Sequence, residues 1–231
     1  MNDKPARFTK EWWRQEWREW QVTLLLIAVI LACRSVLVDW YYVPSGSMQP
    51  SILIGDRILV DRRAFDVRIP FTTLALARIG EPARGDIVVF WSPANGERLI
   101  KRLIGLPGDT LEYKDQVLTV NGERVPYART GVFEGAIKLP GRSYAAAVFE
   151  EALPGHPHPV ALVLRPGTEF GPLTLEPDHY WMMGDNRDNS GDSRVFGPVP
   201  RKALAGRASR VIWSIDDDWN FRWSRFGERL P

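Results

Sequence analysis

Two side chains in this sequence could act as a nucleophile and its base. Ser47 lies in Pro44-Ser45-Gly46-Ser47-Met48-Gln49-Pro50, a run of small and turn-forming residues, and Lys101 lies in Leu99-Ile100-Lys101-Arg102-Leu103-Ile104. A serine hydroxyl attacks a carbonyl effectively only when a neighbouring base takes its proton. Lysine becomes such a base when apolar neighbours such as Ile100 and Leu103 disfavour the ammonium form. Lowering a lysine pKa from ~10.4 to ~8 corresponds to roughly 3 kcal/mol. The competing reading is that Lys101 and Arg102 are ordinary edge-strand charges. Histidine occurs only as His156, His158 and His179, with no Gly-x-Ser-x-Gly turn and no His-Glu-x-x-His. A Ser-His-Asp triad is therefore an unsupported alternative.

A third segment, Gly184-Asp185-Asn186-Arg187-Asp188-Asn189-Ser190-Gly191-Asp192-Ser193-Arg194, is dense in polar residues and is entered from the apolar Tyr180-Trp181-Met182-Met183. A calcium-loop alignment starting at Asn186 puts Arg194 and Gly197 where ligands belong, the latter in place of the essential Glu. The segment is better read as a loop folded on its own hydrogen bonds, with Asp192 and Arg194 available for an ion pair. The single cysteine, Cys33, excludes an intrachain disulfide and a Cys-based zinc site. No metal and no cofactor is expected.

These residues need elements to hold them. The chain has 231 residues, 45% hydrophobic and 25% charged, with a net charge of +2, enough for one sizeable domain plus an appendage or for two small domains. No strongly basic block stands out, which argues against nucleic-acid binding. Eighteen prolines and nineteen glycines predict a β-rich body. Arg57 to Asp61 and Asp86 to Phe90 read as buried strands, and Asn121-Gly122 marks a hairpin within Leu111 to Val125. Ala128 to Glu176 reads as an elaborated β insertion. Near the C-terminus Trp219, Phe221 and Trp223 alternate with Asn220 and Arg222, the pattern of a strand with one aromatic face.

The appendage is N-terminal. Val22 to Cys33 carries no charge, and apolar character resumes after Arg34 through Val38. As a helix, Trp20 to Val38 spans ~28 Å, close to the hydrocarbon thickness of a bilayer, with Arg34 near the end where it can snorkel. Trp13, Trp17 and Trp20 recur among Lys4, Arg7, Lys10, Arg14 and Arg18, an interfacial belt whose positive charge predicts a cytoplasmic N-terminus. The h-region of a cleaved signal peptide, or a lipoprotein box acylated at Cys33, are the competing readings. The expected organisation is a cytoplasmic amphipathic stretch over 1–19 and a transmembrane helix over 20–40. A catalytic β domain over 41–127 and 177–231 follows, with an inserted β subdomain over 128–176.

Taken jointly, PSGSMQPSI after an apolar helix, RGDIVVF followed by KRLIGLPGD, and GDNRDNSGDSR in that order resemble the type I signal peptidase family, the membrane-bound Ser/Lys endopeptidases of bacteria. The resemblance runs from about Leu31 to Val199. It implies a mainly β fold behind an N-terminal transmembrane helix. It also implies a site with Ser47 as nucleophile, Lys101 as general base, and an oxyanion hole made by the Ser45 hydroxyl and the Ser47 amide. Ser190 would orient the lysine, and Asp192 with Arg194 would support the loop behind it. Tyr41, Val43, Met48, Ile52, Leu99 and Ile100 would line shallow pockets for small side chains. The implied partners are signal peptides of exported pre-proteins, bound extended beside Glu97 to Ile100, and membrane lipid. The implied place is the bacterial inner membrane, single-pass, with the catalytic domain on the periplasmic face. Contact of the insertion with an export channel is left open. Two other readings remain: a membrane-anchored peptide-binding module without turnover, and a self-cleaving Ser/Lys protease, although the self-cleaving repressors carry a DNA-binding motif where this chain has its apolar helix.

Overall fold

The computed structural model of the chain describes residues 9–69, 72, 74–139, 142–163 and 168–231. It opens with α1 (Lys10–Leu37) and continues through β1 (Val38–Tyr42), β2 (Asp56–Asp61), β3 (Asp66–Arg68), β4 (Ala75–Arg78), β5 (Ile87–Trp91) and β6 (Arg98–Gly105). Next come β7 (Thr110–Lys114), β8 (Val117–Val120), β9 (Glu123–Arg124), β10 (Tyr127–Leu139), β11 (Arg142–Leu153) and β12 (His156–Leu162). The chain ends with β13 (Phe170–Thr174), β14 (His179–Met183), α2 (Ser193–Phe196), β15 (Val199–Pro200) and β16 (Leu204–Ser214). The body is mainly β, as expected.

The largest sheet has the order β1-β2-β16-β5-β6-β14-β15. Its central strand β5 explains the unbroken apolar run Ile87-Val88-Val89-Phe90. Alternate residues bury on two sides, Ile87 and Val89 against Val43, Met48, Ile52 and Ile58, and Val88 and Phe90 against Phe65, Leu103, Met182 and Leu204. The sheet curls. Although β1 and β6 are separated by three intervening strands, the Arg98 side chain donates to Tyr41 Oη at 3.1 Å.

The hairpin at Asn121-Gly122 joins β8 to β9, with φ of +54° and +84°, the left-handed pair that a two-residue turn requires. Within 128–176, β10, β11 and β12 form their own sheet, while β13 pairs with β7 in a sheet ordered β13-β7-β8-β9. The two sheets share a core, in which Val125 and Leu153 pack with Leu111, Leu118 and Trp181.

Two expectations need correction. The N-terminal helix is not a 20–40 segment: it starts at Lys10, capped by the Thr9 hydroxyl accepting from the Trp12 amide at 3.2 Å, and ends at Leu37. Glu, Gln, Arg and Trp between positions 10 and 20 contain no breaker, so the charged stretch and the apolar stretch form one helix. It ends where Val38, Trp40, Tyr41 and Tyr42 favour a strand, and Val38 pairs with Asp61. Among the described residues no helix is long and apolar enough to cross a membrane. From Val22 to Leu31 the side chains of α1 are exposed and, Thr23 apart, apolar, and Leu37 at its end is exposed as well. Lys4 and Arg7, and the side chains of Arg14, Cys33 and Arg34, lie outside the described residues.

The second correction concerns Trp219, Phe221 and Trp223, which do not form a strand. Asp216 Oδ1 accepts from the amides of Asp218 at 3.0 Å and Asn220 at 2.8 Å, closing a turn in which Trp219 has φ of +65°. Phe221 and Trp223 stack at 5.2 Å between ring centroids and remain exposed.

Candidate active site

Ser47 occupies the middle of a single 3-10 turn, Gly46–Met48, that follows β1. Three contacts from the loop after β14 hold this turn. The Asn186 amide donates to Ser47 O at 3.1 Å, and Asn186 Nδ2 donates to Gly46 O at 3.1 Å. Four residues on, Ser51 Oγ donates to Asp185 Oδ2 at 2.5 Å. Gly184 makes this approach feasible, because a Cβ there would lie 2.4 Å from Ser47 O and 2.3 Å from Ser190 Oγ.

Lys101 comes from β6, paired with Val88 of β5, and is 3% exposed. Its Nζ lies 2.5 Å from Ser47 Oγ. Burial lowers its pKa from 10.5 to about 8, outweighing the Asp192 and Asp185 carboxylates, which pull it up, while Arg194 pushes it further down. Among the described residues Lys101 has no ion-pair partner. The neighbouring Arg102, by contrast, is wholly buried and pairs with both carboxylate oxygens of Asp185, at 2.9 and 2.8 Å. Burial pushes the Asp185 pKa up, but this arginine more than offsets it and holds the group below the usual range.

Asp192 is buried and caps α2. Its carboxylate accepts from Arg194 Nε at 2.9 Å, Arg194 Nη2 at 2.8 Å and the Gly184 amide at 3.0 Å. Burial works against its ionisation and Arg194 prevails, so its pKa is lowered. Ser190 Oγ lies close to Gly184 and makes no well-formed hydrogen bond, and no bond joins it to Lys101.

A cavity of about 100 Å³ opens beside the pair, lined by Tyr41, Val43, Ser45, Ser47, Leu99, Ile100 and Lys101 among others. Met48 and Ile52 stand behind it, fully buried in the core, rather than on its wall. Ser45 is exposed at the start of the 3-10 turn, with its hydroxyl unengaged. As one of the first amides of that turn, the Ser47 N–H has no acceptor within it. On β6, residues Arg98 to Lys101 have β5 on one side, whereas β14 pairs only from Arg102 onward, so the other edge faces the cavity.

The histidines stand apart from Ser47. His158 is buried, with Nε2 3.4 Å from Glu151 Oε1 and 3.9 Å from Asp185 Oδ1. Burial lowers its pKa. It belongs to a network the sequence did not suggest. Glu151 takes two bonds from Arg187, at 2.6 and 2.8 Å, and a third from Tyr127. Arg187 Nε donates to Gly184 O at 3.1 Å. The β10-β11-β12 sheet is thereby tied to the loop that holds Ser47. The one available signal was composition: Asp185 and Arg187 are charges in a loop entered from four apolar or aromatic residues.

The chain has relatives among known proteins. The chain matches the signal peptidase family, peptidase S26, over residues 15–213. It is 37% identical to signal peptidase I of Pseudomonas aeruginosa, covering 83% of this chain and 70% of that protein. It is 34% identical to signal peptidase I of Pseudomonas fluorescens, covering 82% and 69%. A signal peptidase I of Enterococcus faecalis with a crystal structure is 32% identical, covering 56% of this chain and 97% of that one, with a TM-score of 0.35. A buried serine and lysine in contact beside a small cavity on a curled sheet are thus found in a chain that belongs to the signal peptidase family, a type I peptidase of bacterial kind.

Proposed function

We propose that this chain is a membrane-anchored serine endopeptidase that removes N-terminal signal peptides from exported pre-proteins, with Ser47 as nucleophile and Lys101 as general base. The observation that carries this reading is the 2.5 Å separation of Lys101 Nζ and Ser47 Oγ, with the lysine shifted toward its neutral form. The neutral amine takes the Ser47 proton as Oγ attacks the scissile carbonyl, then delivers it to the departing amine. Water activated by the same lysine then cleaves the acyl-enzyme. The Ser45 hydroxyl and the Ser47 amide would stabilise the oxyanion. Asp192 and Arg194 support the loop, and Ser190, beside Gly184, would be the residue that orients the lysine.

The substrate lies extended along the open edge of Arg98 to Lys101. A cavity of about 100 Å³ walled by Tyr41, Val43, Leu99 and Ile100 admits small side chains and excludes large ones. The anchor is α1, whose apolar run from Val22 is followed by β1 with no intervening linker, keeping Ser47 near the bilayer. The basic N-terminus places that end in the cytoplasm and the body on the outer face of the inner membrane.

The test incubates the full chain in detergent with a pre-protein and reads product masses. Ser47→Ala and Lys101→Ala each reduce cleavage by at least about 1000-fold. With the Lys101 pKa at about 8, the neutral fraction, and with it kcat/KM, rises about tenfold from pH 7 to pH 9. Substantial turnover in either variant, or a rate flat from pH 6 to 10, overturns the mechanism. Binding without turnover in the wild type supports a binding module instead.

A further inference from the structure

At the end of the cavity away from Lys101 the curled sheet is bridged once more. Arg98, on β6, places its guanidinium 4.2 Å from the ring centre of Tyr41 and 5.3 Å from that of its cross-strand neighbour Trp91, and donates to Tyr41 Oη at 3.1 Å. The guanidinium is therefore fixed by two aromatic faces rather than free on a flexible stem. It is exposed, lines the cavity, and among the described residues has no carboxylate partner. A positive charge is thus held at the rim of a groove whose remaining wall is largely apolar.

We infer that Arg98 is a specificity-determining residue, reading the charge of the substrate residue three steps upstream of the one whose carbonyl Ser47 attacks and favouring an acidic side chain there over a basic one. The inference rests on the peptidase reading above. The placement follows from strand geometry: Arg98 is three residues from Lys101 along β6, about 10 Å, and an extended peptide on that edge advances at the same rate. On the peptidase reading the small side chains upstream of the cut fill the cavity, so the acyl half lies along the wall of Tyr41, Leu99 and Ile100 toward Arg98. The upstream residue therefore meets the guanidinium.

The experiment uses the full chain in detergent and a peptide series identical except for Ala, Glu or Lys at that upstream position, with kcat/KM as the readout. In the wild type at low salt, Glu is cut about tenfold faster than Lys, and salt compresses the ratio. Arg98→Gln brings the Glu-to-Lys ratio close to one, Arg98→Glu inverts it, and Arg98→Lys keeps part of it. The ratio is internal to each variant, so a general loss of activity does not disguise the result. A ratio unchanged in Arg98→Gln, or a charge effect seen only downstream of the cut, overturns the inference. Failure of the wild type to cut the Ala peptide at all counts against the peptidase reading instead.

Discussion

Replacing Lys101 with Met separates what the buried lysine does for chemistry from what it does to stability. A pKa lowered from 10.5 to about 8 corresponds to about 3 kcal/mol, because the folded state disfavours a proton that the unfolded chain holds readily. Below pH 8 the lysine is charged in both states and folding bears the whole cost. Between pH 8 and 10.5 the unfolded chain binds a proton that the folded chain does not, so stability rises with pH; above 10.5 the cost is gone. Methionine fills a similar volume without charge and loses the contact to Ser47 Oγ, which is worth about 1 kcal/mol. The variant is expected to be inactive and about 2 kcal/mol more stable than the wild type at pH 7, with that advantage shrinking to near zero at pH 10. Urea unfolding of the detergent-solubilised full chain at both pH values, followed by tryptophan fluorescence, measures this directly. A Met variant less stable than the wild type at pH 7, or a difference independent of pH, would refute the claim that burial lowers the Lys101 pKa.

Two further substitutions probe the clamp around Ser47. Gly184→Ala puts a methyl group 2.4 Å from Ser47 O, so the turn must move; cleavage is expected to fall about 100-fold or more in kcat/KM, with the far-ultraviolet circular dichroism unchanged. Asp185→Asn leaves Arg102 buried without its carboxylate and is expected to cost about 3–5 kcal/mol, read as a lowered urea midpoint.

Much of this was legible in sequence because the signals were local. Ile87 to Phe90 reads as a buried strand and Asn121-Gly122 as a tight turn, since each signal depends on a few adjacent residues. The aromatic alternation at Trp219, Phe221 and Trp223 misled because a period of two over five residues is equally compatible with a turn. The Asp216 carboxylate, accepting two backbone amides, decided the matter. The change of composition at Trp20 marks no change of element, because nothing there breaks a helix and α1 runs through it from Lys10. Ser47 and Lys101 stood out as a pair of suitable types. The role of Arg102 did not, because beside Lys101 it looks like a second solvated charge. Only the approach of Asp185, 83 residues away in sequence, removes it from water. Ser51 and Asn186 were missed for the same reason: their partners are distant in the chain.

The arginines around the site have one further consequence. Arg102, Arg187 and Arg194 are each matched with a carboxylate of their own, Asp185, Glu151 and Asp192, whereas among the described residues Lys101 has none. In a pocket holding this many acids, an unclaimed carboxylate would draw a proton onto the lysine and quench its basicity. The guanidiniums thus act as partial neutralisers of negative charge: by claiming Asp185, Glu151 and Asp192 they weaken, without abolishing, the pull of Asp185 and Asp192 on the amine, so that burial prevails and the reactivity of Ser47 depends on residues that never touch it.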